Sequence, residues 1–247
     1  KKLVWKLLVL IKISKNMRIL LCSSFIFFIS LNTFSQAWVD CGLKGGYGIT
    51  GLINSNVWNE PKIDPLISTG YAFGGKLGLN FNLNYQITID FIGKSSNQRY
   101  LFEPTETIGS REKNIRYNAF EIPLLFRHNS DNGSFLEIGP QFSFLTGVTE
   151  TTNEQNINSY FQSNNLGAVL GFGSYIFGGD NAYLVFGLRI HYGIQDILSN
   201  EGGRNLTKHY PINDGEMDVY SSDFEFNSYA PTNPISGLAY LEFNYDL

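Results

Sequence analysis

The sequence has 247 residues, a formal net charge of −4 and an isoelectric point of about 5.4; charged residues make up 16% of it and aromatic residues 15%. Its mean hydropathy of −0.10 excludes a bundle of membrane-spanning helices, which would need long apolar runs. The acidic balance offers no basic surface for nucleic acid. A chain so poor in charge, yet not hydrophobic on average, must alternate polar and apolar residues over short distances, as β-strands with two differently solvated faces do.

A secretory signal peptide is predicted at residues 17–37. It contains one basic residue, then an apolar run over Ile19–Leu31, then small and polar residues. The apolar run of about 13 residues is shorter than the roughly 20 that a membrane-spanning helix needs, and a retained signal anchor is the alternative. Residues 1–16 precede the start expected at Met17 and are interpreted as translated upstream sequence, so that residues 38–247 form the mature domain.

Eight segments of the mature domain alternate apolar and polar residues with a period of two. They are Val39–Thr50, Tyr71–Asn82, Tyr85–Phe91, Phe120–Arg127, Leu136–Phe144, Leu166–Phe177, Tyr183–Tyr192 and Leu241–Leu247. Strands of roughly ten residues are long enough to cross a bilayer when tilted, and an even number of them closes an antiparallel barrel without edges. We therefore predict an all-β fold, an eight-stranded antiparallel up-and-down transmembrane β-barrel.

The connections between these segments alternate between short and long. The short connections, rich in Asn, Asp and Gly, are Asn82–Asn84, Asn129–Ser134 and Gly178–Asn181. The long connections are Asn54–Thr69, Ser95–Asn114, Glu150–Asn165 and Asp196–Pro234. This alternation is typical of outer-membrane barrels with short periplasmic turns and longer extracellular loops. It predicts a protein of the outer membrane of a Gram-negative bacterium, with both termini in the periplasm.

The polar face of the predicted strands carries charges of both signs. An eight-stranded barrel has an interior just wide enough for its own side chains, and buried charges there must be paired. We therefore expect a structural network of charged and polar side chains in the lumen; a path for protons or a solute along the same residues is the alternative. The predicted network comprises Lys44, Lys76, Asp90, Glu121, Arg127, Glu137, Arg189, His191 and Glu242.

Three runs of the sequence resemble a known family. The run Ala119–Arg127, which reads AFEIPLLFR, and the run Gly139–Gly147 resemble neighbouring strands of the PorT-type outer-membrane β-barrel proteins of Bacteroidetes, which are small porin-like barrels. Leu188–Ile194 is similar to the family's seventh strand. The resemblance implies an integral outer-membrane barrel without a single shared activity, although the name-giving member is associated with a secretion system. It also implies recognition of the C-terminal strand by the barrel assembly machinery, here with Leu247 where such barrels usually end on Phe.

The sequence shows no set of residues suited to catalysis. Of its three histidines, His128 and His209 are expected at the surface and His191 is expected to point inward. No Gly-x-Ser-x-Gly spacing is found, so we predict no catalytic residues and no enzyme activity. A single cysteine in the mature domain and scattered histidines predict no metal site, and the Gly-Gly pairs are not followed by helices that would bind a cofactor phosphate.

The last long connection is acidic and contains several aromatic residues. It is interpreted either as a solvated acidic loop or as a surface that binds a protein partner or divalent cations beside lipopolysaccharide. The candidate binding residues are Asp214, Glu216, Asp218, Tyr220, Asp223, Phe224, Glu225 and Phe226. We expect outer-membrane lipid and lipopolysaccharide to surround the barrel.

Two functions remain open. The first is a barrel with a lumen filled by polar side chains, acting as a structural or partner-binding surface protein in adhesion or secretion. The alternative is a narrow channel or transporter for a small solute. A soluble ligand-carrying barrel would need the reverse distribution of residues, with an apolar lumen and a polar outside.

Overall fold

The computed structural model describes residues 37–103, 111–151, 154–179, 181–199 and 229–247. The predicted upstream segment and all of the predicted signal peptide except Ala37 lie outside these ranges. None of the helices described is both long enough and apolar enough to span a membrane.

Nearly all described elements are β-strands. In chain order they are β1 (Trp38–Asn54), α1 (Ser55–Asn59), β2 (Ile63–Leu66), β3 (Ser68–Asn80), β4 (Tyr85–Phe102), β5 (Arg111–Asn129), β6 (Ser134–Glu150), β7 (Gln155–Asn156), a 3₁₀-helix (Asn158–Tyr160), β8 (Asn164–Gly178), β9 (Ala182–Gly193) and β10 (Thr232–Asp246). The short strands β2 and β7 add to β4 and β6, and the other eight strands form the wall of a barrel.

The eight long strands pair in a closed antiparallel ring. Its order is β1, β3, β4, β5, β6, β8, β9 and β10, and the pairing of β10 with β1 closes it. Each long strand therefore lies beside the long strands that precede and follow it in the chain. The predicted eight-stranded antiparallel up-and-down barrel is confirmed.

The two faces of the barrel wall are opposite in character. On β3, Phe73 is 64% exposed on the outside, whereas Lys76 is 2% exposed on the inside. Large apolar side chains exposed on the outside include Leu43, Phe73, Leu77, Phe91, Leu124, Phe126, Leu136, Ile138, Phe142, Leu170, Phe172, Phe186, Ile190, Leu241 and Phe243. Because charges lie inside and apolar groups outside, the distribution of polar and apolar side chains is the reverse of that expected for a soluble ligand-carrying barrel.

The three short turns lie at one end of the barrel, which we call the short-turn end. At the β3–β4 turn the Asn82 side chain accepts hydrogen bonds from the backbone N–H groups of Asn84 and Tyr85, both at 2.9 Å. At the β5–β6 turn Gly133 has a φ of +80°, a conformation that costs other residues free energy. The described parts of the long connections lie at the opposite end, the long-connection end.

Several strands extend further than the sequence pattern predicted. The predicted loop Ser95–Asn114 is largely strand, since β4 continues to Phe102 and β5 begins at Arg111, opposite Phe102. We call the paired segments Asn97–Phe102 and Arg111–Arg116 the β4–β5 extension. The predicted loop Asp196–Pro234 also ends early, because β10 begins at Thr232. Polar residues on both faces hide the alternation at this end of the barrel.

The long-connection end of the lumen is filled by an apolar core, which the sequence analysis did not predict. Barrel strands supply part of it, while α1, β2 and the segments around the 3₁₀-helix and Ile197 each add buried apolar side chains to complete it. We call it the apolar plug, formed by the buried residues Leu52, Val57, Ile63, Tyr100, Phe102, Ile115, Tyr117, Val148, Ile157, Phe161, Ile197 and Leu198.

Asn54 fastens the connections at this end. Its side-chain oxygen accepts a hydrogen bond from the backbone N–H of Asn56 at 2.9 Å and so caps α1. Its amide nitrogen donates to the Ala230 carbonyl at 3.0 Å and to the Thr232 hydroxyl at 2.9 Å. One buried side chain thereby joins the end of β1, the start of α1 and the start of β10.

Candidate functional site

The centre of the lumen contains a closed ring of alternating charges. Six strands contribute one side chain each, and every carboxylate lies between two cations. Successive nitrogen–oxygen distances are 2.9, 2.8, 2.7, 2.9, 3.0 and 2.7 Å. This ion-pair ring runs through Lys44, Asp90, Arg189, Glu137, Arg127 and Glu242, and back to Lys44.

Lys76 and Asp40 attach to the ring at Glu242. The Lys76 ammonium lies 3.0 Å from Glu242 and 3.5 Å from Asp40, and Asp40 also accepts hydrogen bonds from Gln86 and from the Tyr183 hydroxyl. With the ring they form a cluster in which four cations and four carboxylates balance among the described residues. Sequence reasoning missed Asp40 as a member, although it lies on the same face of β1 as Lys44.

Glycines make room for the large ring members. A Cβ added at Gly171, on β8, would lie 2.5 Å from Oε1 of Glu137. One added at Gly187, on β9, would lie 2.5 Å from the ring of Tyr240, whose hydroxyl donates to Glu137 Oε1 at 3.0 Å. The high glycine content of the chain is therefore used partly to admit ionic and aromatic side chains into a narrow lumen.

Glu121 and His191, two members of the predicted network, lie outside the ring. Glu121 pairs with Lys94 at 3.2 Å, and Lys94 also donates to the Ser236 hydroxyl at 2.8 Å. Both ring nitrogens of His191 lack a hydrogen-bond partner within the described residues. Sequence reasoning missed Lys94, although it continues the inward parity of Asp90 along β4.

A small cavity lies between the ring and these residues. It is lined by Lys94, Glu121, Gln141, His191 and Tyr240, among others. Its volume of about 30 Å³ accommodates a water molecule and excludes a larger solute.

Two further ion pairs lie near the long-connection end. Lys113 and Glu150 are 2.8 Å apart and largely buried. On the outside of the β4–β5 extension, Nε of Arg99 donates to Oε1 of Glu112 at 2.7 Å. That hydrogen bond lowers the pKa of the Glu112 carboxyl and raises the pKa of the Arg99 guanidinium. Both partners of the second pair are exposed, so solvent screens it.

The candidate binding residues of the last long connection, from Asp214 to Phe226, lie outside the described residues. Asp196, at the start of that connection, accepts hydrogen bonds from the backbone N–H groups of Leu198 and Thr232, each at 3.0 Å. That carboxylate therefore holds the ends of the connection. In the part of the chain that the structure describes, no group of three or more His, Cys, Asp or Glu side chains is placed to hold a metal ion.

Comparison with known families identifies the barrel. The family model of the outer membrane protein beta-barrel domain matches residues 34–199, two thirds of the chain. The chain belongs to this family. It is an outer-membrane β-barrel protein, and its outward apolar face is its lipid-facing surface.

Solved structures of other outer-membrane proteins are similar to the chain. OprG from Pseudomonas aeruginosa has 10% identity and a TM-score of 0.45, covering 87% of this chain and 98% of that one. Neisserial surface protein A has 10% identity and a TM-score of 0.42, covering 84% and 98%. The attachment invasion locus protein Ail of Yersinia pestis has 10% identity and a TM-score of 0.38, covering 84% and 99%. No curated protein matches the sequence significantly.

Proposed function

We propose that this protein is a closed outer-membrane barrel, which acts by contact at the cell surface in adhesion or secretion and does not conduct solutes. The observation that carries the proposal is the double closure of the lumen, by the ion-pair ring at the centre and by the apolar plug at the long-connection end. A solute would have to pass both.

The ion-pair ring closes the lumen at its centre. Arg127 and Glu242 are fully buried, and each bonds to more than one oppositely charged partner. Separating such groups leaves buried charges without partners, at a cost of several kcal/mol for each ion. Because the cluster around the ring is balanced in sign, it also provides no net field that would draw in a solute of either charge.

The apolar plug closes the lumen a second time. Tyr100 and Ile115 are 0% exposed, and Leu198 is 1% exposed, at a depth where an open pore would be lined by water. Opening this layer would expose apolar surface at roughly 25 cal/mol per Å². The apolar plug therefore supports a lumen that stays closed over one that opens and closes.

We further propose how the barrel is exported, how it is oriented and what surrounds it. Residues 17–37 act as the signal peptide, the short turns and both termini face the periplasm, and β10 is the strand that the barrel assembly machinery recognises. Lipopolysaccharide surrounds the long-connection end, and the acidic connection that includes Asp214–Phe226 binds a protein partner. No enzymatic role is proposed.

The narrower kinship with PorT-type barrels of Bacteroidetes rests on the runs Ala119–Arg127 and Gly139–Gly147, which form adjacent parts of β5 and β6.

Single-channel recording in planar bilayers tests the closed barrel. We expect no unitary current from the purified full-length protein, while a known porin in the same bilayers gives open steps. A reproducible unitary current from the folded protein would establish the alternative, a narrow channel, and overturn the proposal.

A pull-down from cell-envelope extracts tests the binding role. The bait is the full chain, compared with a variant in which residues 200–228 are replaced by a Gly/Ser linker of equal length. We expect a partner that is retained by the full chain and lost with the linker. Identical captured proteins for both baits would contradict the role assigned to this connection.

A further inference from the structure

An apolar groove lies on the outside of the barrel near its long-connection end. Its floor is the outer surface of β1, β9 and β10, and its other wall is the arm Ser55–Ile67, which includes α1 and β2. The cavity volume of about 450 Å³ falls in the range of roughly 300–1,000 Å³ that is typical of small-molecule sites. The lining includes Ile49, Trp58, Leu66, Ile67, Ile190 and Ile235.

Glycines lie opposite isoleucines where β1 and β10 line the groove, and Gly237 opens it. Gly51 on β1 pairs with Ile235 on β10, and Gly237 on β10 pairs with Ile49 on β1. Each glycine therefore lies opposite an isoleucine of the neighbouring strand. A Cβ built at Gly237 would meet nothing within 4 Å. The absence of a side chain at this position therefore leaves space that any larger residue would fill.

The polar side chains at the groove already have partners inside the protein. Thr50 donates to the Asn97 carbonyl at 2.9 Å, the Gln98 side-chain oxygen accepts from the Leu52 N–H at 2.8 Å, and Lys94 donates to the Ser236 hydroxyl. A polar ligand would gain few hydrogen bonds here and would lose those that it makes to water. The chemistry of the groove selects an apolar occupant.

The groove is continuous with the lipid-facing surface. Ile49 follows Tyr47 on the outer face of β1, and Ile190 follows Leu188 on the outer face of β9. On the arm, Trp58 and Ile67 are 62% and 77% exposed, which is costly in water and favourable next to lipid. Trp is also the residue that prefers the boundary between hydrocarbon and water.

We propose that this groove binds one acyl chain of a membrane lipid, from the leaflet at the long-connection end. The chain would lie between the arm and the barrel wall, over Gly51 and Gly237, and would cover Trp58 and Ile67. Lipid chains already surround Ile49 and Ile190, so the occupant needs no separate route to the site. Under the orientation proposed above, this leaflet is the outer one.

Fluorescence quenching of Trp58 tests the proposal. In the full chain, Trp5→Phe and Trp38→Phe leave Trp58 as the single tryptophan. The protein is reconstituted in phosphatidylcholine vesicles that contain a fraction of lipid with brominated acyl chains, because bromine quenches tryptophan on contact. Parallel vesicles without brominated lipid receive dibrominated free fatty acid. We expect strong quenching of Trp58 by the brominated lipid.

Two matched glycine substitutions give the test its specificity. Gly237→Leu fills the groove and should at least halve the quenching by brominated lipid. Gly147→Leu is the control and should leave the quenching unchanged. Gly147 lies on β6, in the wall of the barrel opposite the groove, and its Cβ would also meet nothing within 4 Å. If Gly237→Leu fails to fold, as judged by heat-modifiable mobility, Ile235→Phe fills the groove from the neighbouring position.

Three results would overturn the proposal. Equal quenching in the parent and in the groove-filling variant would mean that Trp58 meets bulk lipid and not a bound chain. Quenching by the free fatty acid alone would identify a soluble apolar ligand as the occupant. No quenching by either probe would mean that another part of the chain or a second copy of it covers the groove. Each outcome is separable from the conductance test of the closed barrel.

Discussion

At the scale of single residues, Arg127 shows why the centre of the lumen requires an arginine. Its guanidinium donates through Nε and Nη2 to Glu137 at 3.2 and 2.9 Å, and through Nη1 and Nη2 to Glu242 at 3.0 and 3.1 Å. A planar fork can bridge two carboxylates in this way, whereas the ammonium of lysine is a point charge. Arg127 therefore connects Glu137 and Glu242, the two carboxylates of the ion-pair ring that have the most partners.

Removing Arg127 should strongly destabilise the barrel. Arg127→Ala leaves Glu137 and Glu242 each short of a cation, which we expect to cost about 3–5 kcal/mol in the free energy of unfolding. Glu121→Ala should cost less, because it breaks one ion pair among the described residues and Lys94 keeps its hydrogen bond to the Ser236 hydroxyl. Urea unfolding in detergent micelles, followed by heat-modifiable mobility, measures both.

The control for these variants is Arg99→Ala. It removes the exposed pair with Glu112 on the β4–β5 extension and should leave the unfolding transition unchanged. If Arg127→Ala and Glu121→Ala also proved neutral, the paired charges would not stabilise the lumen. If Glu121→Ala proved the more damaging of the two, the central importance of the ring would be wrong.

Gly171 should tolerate no side chain. In Gly171→Ala the new methyl would lie 2.5 Å from Oε1 of Glu137, which also binds Arg189 at 2.7 Å and the Tyr240 hydroxyl at 3.0 Å. We expect overpacking to cost about 1–3 kcal/mol in the unfolding free energy measured in detergent.

Gly93→Ala is the matched control for Gly171→Ala, since Gly93 faces outward on β4 and its Cβ would make an ordinary contact of 3.7 Å. It should be close to neutral in the same assay. An equal loss in both variants would point to backbone effects of the glycines, and the steric argument would fail.

At the scale of elements, the β4–β5 extension and buried side chains of the long connections build the apolar plug. Tyr100 and Ile115 come from the extension, whereas Val57 comes from α1 and Leu198 from the segment after β9. The bridge between Phe161 and Leu198 ties the connection after β7 to the one after β9. The long connections are therefore partly core and not simply surface loops.

Truncation of one plug residue tests its contribution. Ile115→Ala removes fully buried apolar atoms and leaves a cavity, so we expect a loss of about 2–5 kcal/mol in unfolding free energy. Ile138→Ala provides a matched control, because Ile138 is 56% exposed on the lipid-facing surface and its loss creates no internal cavity. A loss for Ile115→Ala no greater than that for Ile138→Ala, by urea titration in micelles, would refute the plug as a packed core.

The elements also show where sequence patterns stop being informative. Alternation predicted β3 and β9 well, because each runs along the apolar band where outward positions must be hydrophobic. It failed beyond Ser95, where β4 leaves that band and Asn97 and Arg99 take outward positions. The alternation of apolar and polar residues arises because one face of a strand meets lipid and the other meets the polar lumen. It disappears where both faces of a strand meet polar surroundings or protein.

At the scale of the whole molecule, the barrel has two ends that differ in structure. The short turns, Trp38 and Leu247 lie at one end, and the arm, the plug and the described start of the last connection at Asp196 lie at the other. In outer-membrane barrels the shorter turns are periplasmic, which is the basis of the proposed orientation.

Epitope accessibility on intact cells tests this orientation. A tag inserted after Asn153, between β6 and β8, should bind antibody without permeabilisation. A tag appended after Leu247 should bind antibody only after the outer membrane is permeabilised. The reverse pattern would invert the barrel and transfer the acyl-chain groove to the inner leaflet.

The sequence by itself determined the number of long strands, their connectivity and which side chains face inward. Each of these depends on the local alternation of side chains along a strand, so that Lys44, Asp90 and Glu242 could be assigned to the lumen from their own neighbours. The balance of signs also followed, because buried charges must be compensated.

Only the tertiary structure decided which charge meets which. Lys44 contacts both Asp90 and Glu242 because β1, β4 and β10 curve around the same lumen. Which residues of these strands lie at the same depth depends on the register between neighbouring strands, which is set when the barrel closes and is not encoded in any single strand. The apolar plug and the lipid-facing groove depend in the same way on segments that are distant in the chain. Contacts across a lumen are set by the register of all eight strands together, whereas the inward or outward direction of a side chain is set within one.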